Sequence, residues 1–191
     1  MIRIAVVGGI GSGKSYIAKL FGYPVFNADI EVAKLYRKNR KCYKKLKKAL
    51  PKYVRSFPVK KNKLLEAIMD RQSNLKKIIK IIHPQIRRSL NNFVKKNKYK
   101  KFIVLDIPLL IENKINKRND IIVFIDSKKK EINKRLKKKY KGNLKIIKKL
   151  VKVQLPVELK RKKSNFIIKN NFKKNNVKNN VKNVLRYISN A

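Results

Sequence analysis

The stretch Gly8-Gly9-Ile10-Gly11-Ser12-Gly13-Lys14-Ser15 fits the pattern G-x-x-x-x-G-K-[ST], with Gly8 and Gly13 at the fixed positions and Lys14-Ser15 closing it. Before it runs Ile2-Arg3-Ile4-Ala5-Val6-Val7, a short apolar segment rich in β-branched residues that reads as a buried strand. After it, Tyr16-Ile17-Ala18-Lys19-Leu20-Phe21 sets Ile17, Leu20 and Phe21 on one helical face. The stretch therefore sits in a strand–loop–helix context. Glycines let successive backbone N–H groups turn inward around phosphate oxygens, and the start of the helix adds partial positive charge behind the same oxygens. Four of the six glycines in the chain fall in this loop. A glycine-rich turn without a ligand has no need of strand, lysine and hydroxyl in register. The loop is read as a nucleoside triphosphate site formed by Gly9, Ile10, Gly11, Ser12, Gly13, Lys14, Ser15 and Tyr16. Lys14 is expected to reach the β- and γ-phosphates, and the Ser15 hydroxyl to ligate Mg²⁺.

The composition sets bounds around this site. With 191 residues, 43% of them hydrophobic, the chain can build one domain with a substantial core and a small insertion. No apolar run approaches the roughly 20 residues of a membrane span. The N-terminus enters a strand directly, without a signal-peptide pattern. Cys42 is the one cysteine and His83 the one histidine, so neither an internal disulfide nor a structural zinc set is expected. A cytoplasmic protein without membrane attachment is expected.

Fifty-four Lys+Arg against ten Asp+Glu give a formal net charge of +44. Taken alone, that charge points to nucleic acid or an anionic membrane surface. The excess, however, is mostly lysine spread along the whole chain, beside abundant asparagine and isoleucine, the residues that A/T-rich codons favour. Lysines fall on solvated faces of helical segments, and no aromatic-interleaved basic patch stands out. We read the charge as compositional drift, without a specific nucleic-acid partner. It is still expected to attract anionic substrates, and RNA nonspecifically at low salt.

Outward from the loop, Tyr23-Pro24-Val25-Phe26 reads as a second strand followed by Asn27-Ala28-Asp29. Asp29 either caps a helix Ile30–Arg37 or, as an acidic group beyond a strand end, serves the site. From Lys38 to about Lys98 the pattern is helical, with stripes at Leu64, Leu65 and Ile68 and at Ile78, Ile79 and Ile82, broken near Pro51 and Pro58. Phe102–Ile107 and Asp120–Asp126 are all-apolar strands of the kind buried on both faces. Ser127 is expected to cap a basic helix through about Tyr140, with Ile132, Leu136 and Tyr140 inward and Arg135 on it. Gly142-Asn143 breaks that helix, and a second helix runs to Val153-Gln154, a pair of basic helices placed like a lid. Asn165–Lys169 is a fifth strand, and Val177, Val181, Val184, Leu185 and Ile188 form the inner side of a last helix.

Together these pieces resemble the dephospho-CoA kinase family over essentially the whole chain. The motifs occur in the family's order: the loop at 8–15, Ala28-Asp29, His83-Pro84, Pro108-Leu109-Leu110-Ile111-Glu112, Arg135, then Gln154, Pro156, Glu158 and Lys160, and an apolar strand ending in Asn170. The resemblance implies an α/β P-loop kinase fold of three αβα layers with a five-stranded parallel sheet. In a single domain over 1–191 it implies a core of about 1–30, 99–126 and 162–191, a helical CoA-binding insertion of about 31–98 and a lid of about 127–161. The implied reaction moves the γ-phosphoryl of ATP, with Mg²⁺, to the ribose 3′-hydroxyl of dephospho-CoA. It assigns catalysis to Lys14, Asp29 and Arg135, and acceptor binding to Asp29, His83, Pro108, Leu109 and Glu112. A monomer is expected, with an oligomer left open.

The chain departs from the family pattern at several positions. Asn27 stands where an aspartate is usual, Lys61 and Lys139 where arginines are, Ser164-Asn165 for Ala-Asp, and Phe172 for a glycine. Three rival readings remain at this stage. One is a kinase of the same fold for another small acceptor, such as a nucleotide or shikimate. Another is an RNA-associated P-loop NTPase, for which no Asn-Lys-x-Asp guanine-reading motif is present. The third is a degenerate binding protein that keeps the fold without turnover.

Overall fold

The computed structural model describes residues 1–139, 147–148 and 151–190. Along the chain these form β1 (Ile2–Gly8), α1 (Lys14–Leu20), β2 (Val25–Asn27), α2 (Ala28–Lys38), α3 (Arg40–Ala49), α4 (Lys61–Asp70) and α5 (Gln72–Lys96). There follow β3 (Phe102–Asp106), β4 (Ile121–Ser127), α6 (Lys129–Lys139), α7 (Val157–Lys162), β5 (Phe166–Asn170) and α8 (Lys174–Asn190). The chain divides into two compact units, Met1–Asn27 with Asn97–Ala191, and Ala28–Lys96.

The first unit is built on one parallel sheet in the order β2-β3-β1-β4-β5. Ile4 pairs with Val104 on one side and Ile121 on the other, and Gly8 ends level with Ile125. β1 is therefore the middle strand, which explains why Ile4, Ala5 and Val6 are wholly buried. Alternation sends Ile4, Val6, Phe102, Val104, Val123 and Ile125 to one face, where Ile17, Ala18 and Phe21 of α1 and Val177, Val181, Val184 and Ile188 of α8 pack on them. Beside the sheet, Arg3 and Asp120 form a buried two-point ion pair, with Nη2 donating to Oδ2 at 2.9 Å and Nε 2.9 Å from Oδ1.

The second unit is four helices. Asn39 caps α3, its side chain accepting from the N–H of Cys42 at 2.8 Å. The inward stripe of α5 runs through Ile78, Ile82, Ile86 and Leu90, and Asn74 extends it, donating to the carbonyl of Ala67 at 2.9 Å. Ile79, expected in that stripe, is only half-buried. His83-Pro84 lies inside α5, not at a break. Pro51 and Pro58 fall in the segment between α3 and α4, as the pattern suggested.

Three local expectations are corrected. α1 begins at Lys14, two residues earlier than its apolar face, because Tyr16 and Ile17 both donate to the carbonyl of Gly13. Asp29 lies within the first turn of α2, where its charge suits the helix dipole, and not ahead of a helix starting at Ile30. Ser127 is the last residue of β4, paired with Asn170, and does not cap α6. The inward Tyr140 and the helix break at Gly142-Asn143 lie outside the described residues. Among the described residues no helix is long and apolar enough to cross a membrane.

Candidate active site

The glycine loop leaves the carboxyl end of β1 and is held by the two strands on one side of it. The carbonyl of Ser12 accepts two hydrogen bonds, from Asn170 Nδ2 at 2.7 Å and from Ser127 Oγ at 2.9 Å. The ends of β4 and β5 thus brace one peptide of the loop. Two glycines have a steric reason to be there. Gly13 has φ +91°, and a Cβ at this position would stand 2.5 Å from Asn170 Nδ2. Gly11 has φ +81°, and a Cβ there would stand 3.2 Å from Leu136, because α6 packs directly on the loop through Leu136 and Ile132.

Lys14 folds back across the loop, Nζ donating to the carbonyls of Gly9 at 2.7 Å and Gly8 at 3.2 Å. Its ammonium is thereby held over the backbone cradle in which a phosphate chain would lie. Ser15 and Tyr16 are exposed in the first turn of α1. The cradle fits a triphosphate: left-handed glycines, a lysine over it and a helix start behind it. The donor set also fits Mg²⁺, a hard cation that keeps several waters and takes few protein oxygens when phosphates supply the rest. Ser15, the exposed residue after Lys14, carries a hydroxyl of the kind such a site would use. Among the described residues no group of three or more His, Cys, Asp or Glu forms a cage that would hold a metal by itself.

A small crevice beside the loop, with a volume of about 10 Å³ and so room for about one water, is lined by Gly8, Lys14, Pro108, Leu109, Glu112, Gln154 and Lys160. Motifs far apart in sequence thus meet at the lysine. Leu109 adopts φ +59°, uncommon for a branched residue, and its carbonyl accepts from both the N–H and the Nδ2 of Asn113 at 3.0 Å. Glu112 Oε1 lies 2.7 Å from Lys160 Nζ and accepts the N–H of Leu155 at 3.0 Å. Burial alone would raise the Glu112 pKa. The hydrogen bond from Lys160, two backbone N–H groups and the lysine charge outweigh it and hold the carboxyl below its ordinary value.

Arg135, on the outer side of α6, lays its guanidinium over the ring of Phe172, 4.3 Å from the centroid. In the second unit, Asp29 is exposed in the first turn of α2. His83 is half-buried on α5, its pKa lowered first by burial and then by the charge of Arg87 one turn on. That unit also carries an open groove of about 480 Å³ lined by Glu31, Lys34, Leu35, Lys38, Asn39, Arg40 and Lys41.

Sequence reading gave four residues here no role in the site, although Asn170 was noted as a strand end, Ser127 as a cap and Phe172 as a departure from the family. Asn170 and Ser127 brace the loop, Phe172 carries Arg135, and Asp106, buried at the end of β3, accepts a hydrogen bond from the Nδ2 of Asn27. Asp106 had a signal, since it is the acidic end of an apolar strand. The other three owe their places to contacts across the sheet.

A parallel sheet of this order with a glycine–lysine loop leaving its middle strand defines a P-loop nucleotide-binding protein. The comparisons narrow the class. The sequence model for dephospho-CoA kinase matches residues 2–176. The chain is 34% identical over 172 residues to the dephospho-CoA kinase of Wolbachia sp. subsp. Brugia malayi (strain TRS), covering 86% of this chain and 87% of that one. It is 32% identical over 170 residues to that of Bartonella quintana (strain Toulouse), with the same coverage. The crystal structure of TT1252 from Thermus thermophilus superposes with a TM-score of 0.80 at 26% identity over 97% of each chain. A dephospho-CoA kinase from Campylobacter jejuni shares the fold, with a TM-score of 0.65 at 24% identity over 99% of this chain and 98% of that one. The chain belongs to the dephospho-CoA kinase family, transferases that phosphorylate dephospho-CoA with ATP in coenzyme A biosynthesis.

Proposed function

We propose that the chain transfers the γ-phosphoryl of ATP to the ribose 3′-hydroxyl of dephospho-CoA with the help of Mg²⁺, acting as a cytoplasmic monomer without a specific nucleic-acid partner. The observation that supports this most is the crevice in which Lys14 meets Pro108, Leu109 and Glu112, the stretch that the family resemblance assigns to the acceptor. Phosphoryl transfer needs positioning and charge neutralisation more than covalent help. The backbone of Gly9–Tyr16 cradles the phosphates, and Lys14 exchanges its contacts with the carbonyls of Gly8 and Gly9 for β- and γ-oxygens. Ser15 would hold Mg²⁺, which when bound would neutralise negative charge on the phosphates. Asp29 takes the proton of the acceptor hydroxyl, His83 contributes to acceptor binding, and Arg135 stabilises charge on the phosphoryl in flight. Glu112 holds the acceptor stretch in place through Lys160 and does not act as a base, because its lowered pKa weakens its hold on a proton and Lys160 and the N–H of Leu155 already occupy Oε1.

The test is ADP release with dephospho-CoA set against adenosine, AMP and shikimate, with the position of the new phosphate read by phosphorus and proton NMR. Release that depends on dephospho-CoA, with a 3′-phosphate product, supports the assignment. Equal turnover of AMP or adenosine would remove the acceptor while sparing the kinase fold.

A further inference from the structure

We propose that Phe172 is a positioning residue of this enzyme, holding Arg135 beside the phosphate loop before substrate arrives; this rests on the phosphoryl-side role given to Arg135 above. Three contacts converge on the ring and its backbone. The Arg135 guanidinium lies 4.3 Å from the ring centroid. A ring carbon, Cε1, lies 3.5 Å from where a Cβ on Gly13 would stand, so the ring stands beside the end of the loop. The N–H of Phe172 donates to Asn170 Oδ1 at 2.9 Å, while Nδ2 of the same amide donates to the carbonyl of Ser12. One asparagine thus fixes both the loop and the residue under the arginine.

The chemistry of the stack gives it a purpose. An arginine on an exposed helix face explores many rotamers, and ordering it during the reaction costs free energy that raises the barrier. Stacking on an aromatic ring uses the π face of the guanidinium and leaves its in-plane N–H fork available for phosphate oxygens. α6 is itself fixed to the loop through Leu136 and Ile132 against Gly11, so the base of the arginine side chain and its tip are both anchored to the same eight-residue turn. Phe172 does this from φ +61°, a conformation that disfavours a side chain and that glycine would adopt freely. A bulky residue in a glycine's conformation signals that its side chain is in use.

Because glycine suits this backbone, Phe172→Gly removes the ring without threatening the fold, and its unfolding midpoint should not fall below that of the parent. The decisive experiment is a double-mutant cycle on steady-state transfer, with Phe172 changed to Gly, Leu and Tyr in the parent and in an Arg135→Ala background. We expect Phe172→Gly and Phe172→Leu to lower kcat by about two- to fivefold with little change in the KM for ATP, and Phe172→Tyr to retain activity. In the Arg135→Ala background all three should be silent. Equal losses in both backgrounds, full activity of the leucine variant, or a changed preference between ATP and GTP would each overturn the proposal. If Arg135→Ala itself cost nothing, the role of Arg135 would fail first, and that result is separate from additivity between two costly changes.

Discussion

Glu112 and Lys160 form a buried ion pair at 2.7 Å that ties the stretch 108–112 to α7, their side chains 11% and 3% exposed. Two motifs that looked independent in sequence are one device. Removing one partner leaves the other charge buried, so Lys160→Met should destabilise the fold by about 3–5 kcal/mol, and Lys160→Met with Glu112→Leu by much less. The pH dependence follows from the lowered Glu112 pKa. This contribution is present above the ordinary glutamate pKa and is lost as pH falls through the folded-state value. Urea unfolding from pH 7 to pH 3 should show that loss in the parent and a shallower one in the double variant.

Lys14→Ala should reduce transfer by about 10³-fold or more while leaving the melting temperature within a few degrees of the parent. In the protein itself the lysine donates to two loop carbonyls, whereas its charge counts most on the phosphates in the transition state. Activity within about tenfold of the parent would show that Lys14 has another role.

Asn170→Ala removes the donor that holds the carbonyl of Ser12 and the acceptor that holds the N–H of Phe172. Loss of these buried contacts should cost about 1–3 kcal/mol in stability. It should also raise the KM for ATP, since the cradle is no longer fixed from the β5 side. Calorimetry on the protein alone, beside ATP kinetics, separates the two effects.

The chain has a single histidine, so His83 gives one imidazole signal in proton NMR. Its titration should fall below pH 6.5, because burial and Arg87 both disfavour the charged ring, and Arg87→Gln should move it upward. A histidine whose folded pKa is depressed contributes full stability above pH 6.5, and that contribution is lost as pH falls below 6.5 through the folded-state value. His83→Ala should raise the KM for dephospho-CoA while leaving that for ATP unchanged. An unchanged acceptor KM would remove His83 from the site.

The net charge of +44 yields a separate expectation. RNA should bind weakly at physiological salt, indifferent to sequence, with an affinity that falls steeply as salt rises. Filter binding across a salt series checks this, and a sequence-selective complex at physiological salt would contradict it.

The fold was legible because parallel strands covered on both faces are written as unbroken apolar runs, and the glycine–lysine loop fixes which strand stands in the middle. Val104, Val123 and Ile168 could be assigned to strands from local pattern alone. Ser127 could not be read correctly, since a serine before a basic helix has the local look of a cap. Its pairing with Asn170 is a contact between strands that no local window contains. The same holds for Phe172 under Arg135 and Lys160 against Glu112. Asn170 to Asn180, uninformative as composition, became from Lys174 onward the start of a helix whose inward Val177 and Val181 are packed by the sheet.

The bond from Asn170 to Ser12 joins residues 158 positions apart. Synthesis makes the loop that receives the nucleotide long before it makes the brace. Domains tend to fold as units during synthesis, and this one withholds a finished cradle until β5 has been made. A nascent chain truncated before Asn170 should therefore fail to retain ATP, even where its leading strands have already paired. Competence for the nucleotide reports that translation has passed β5.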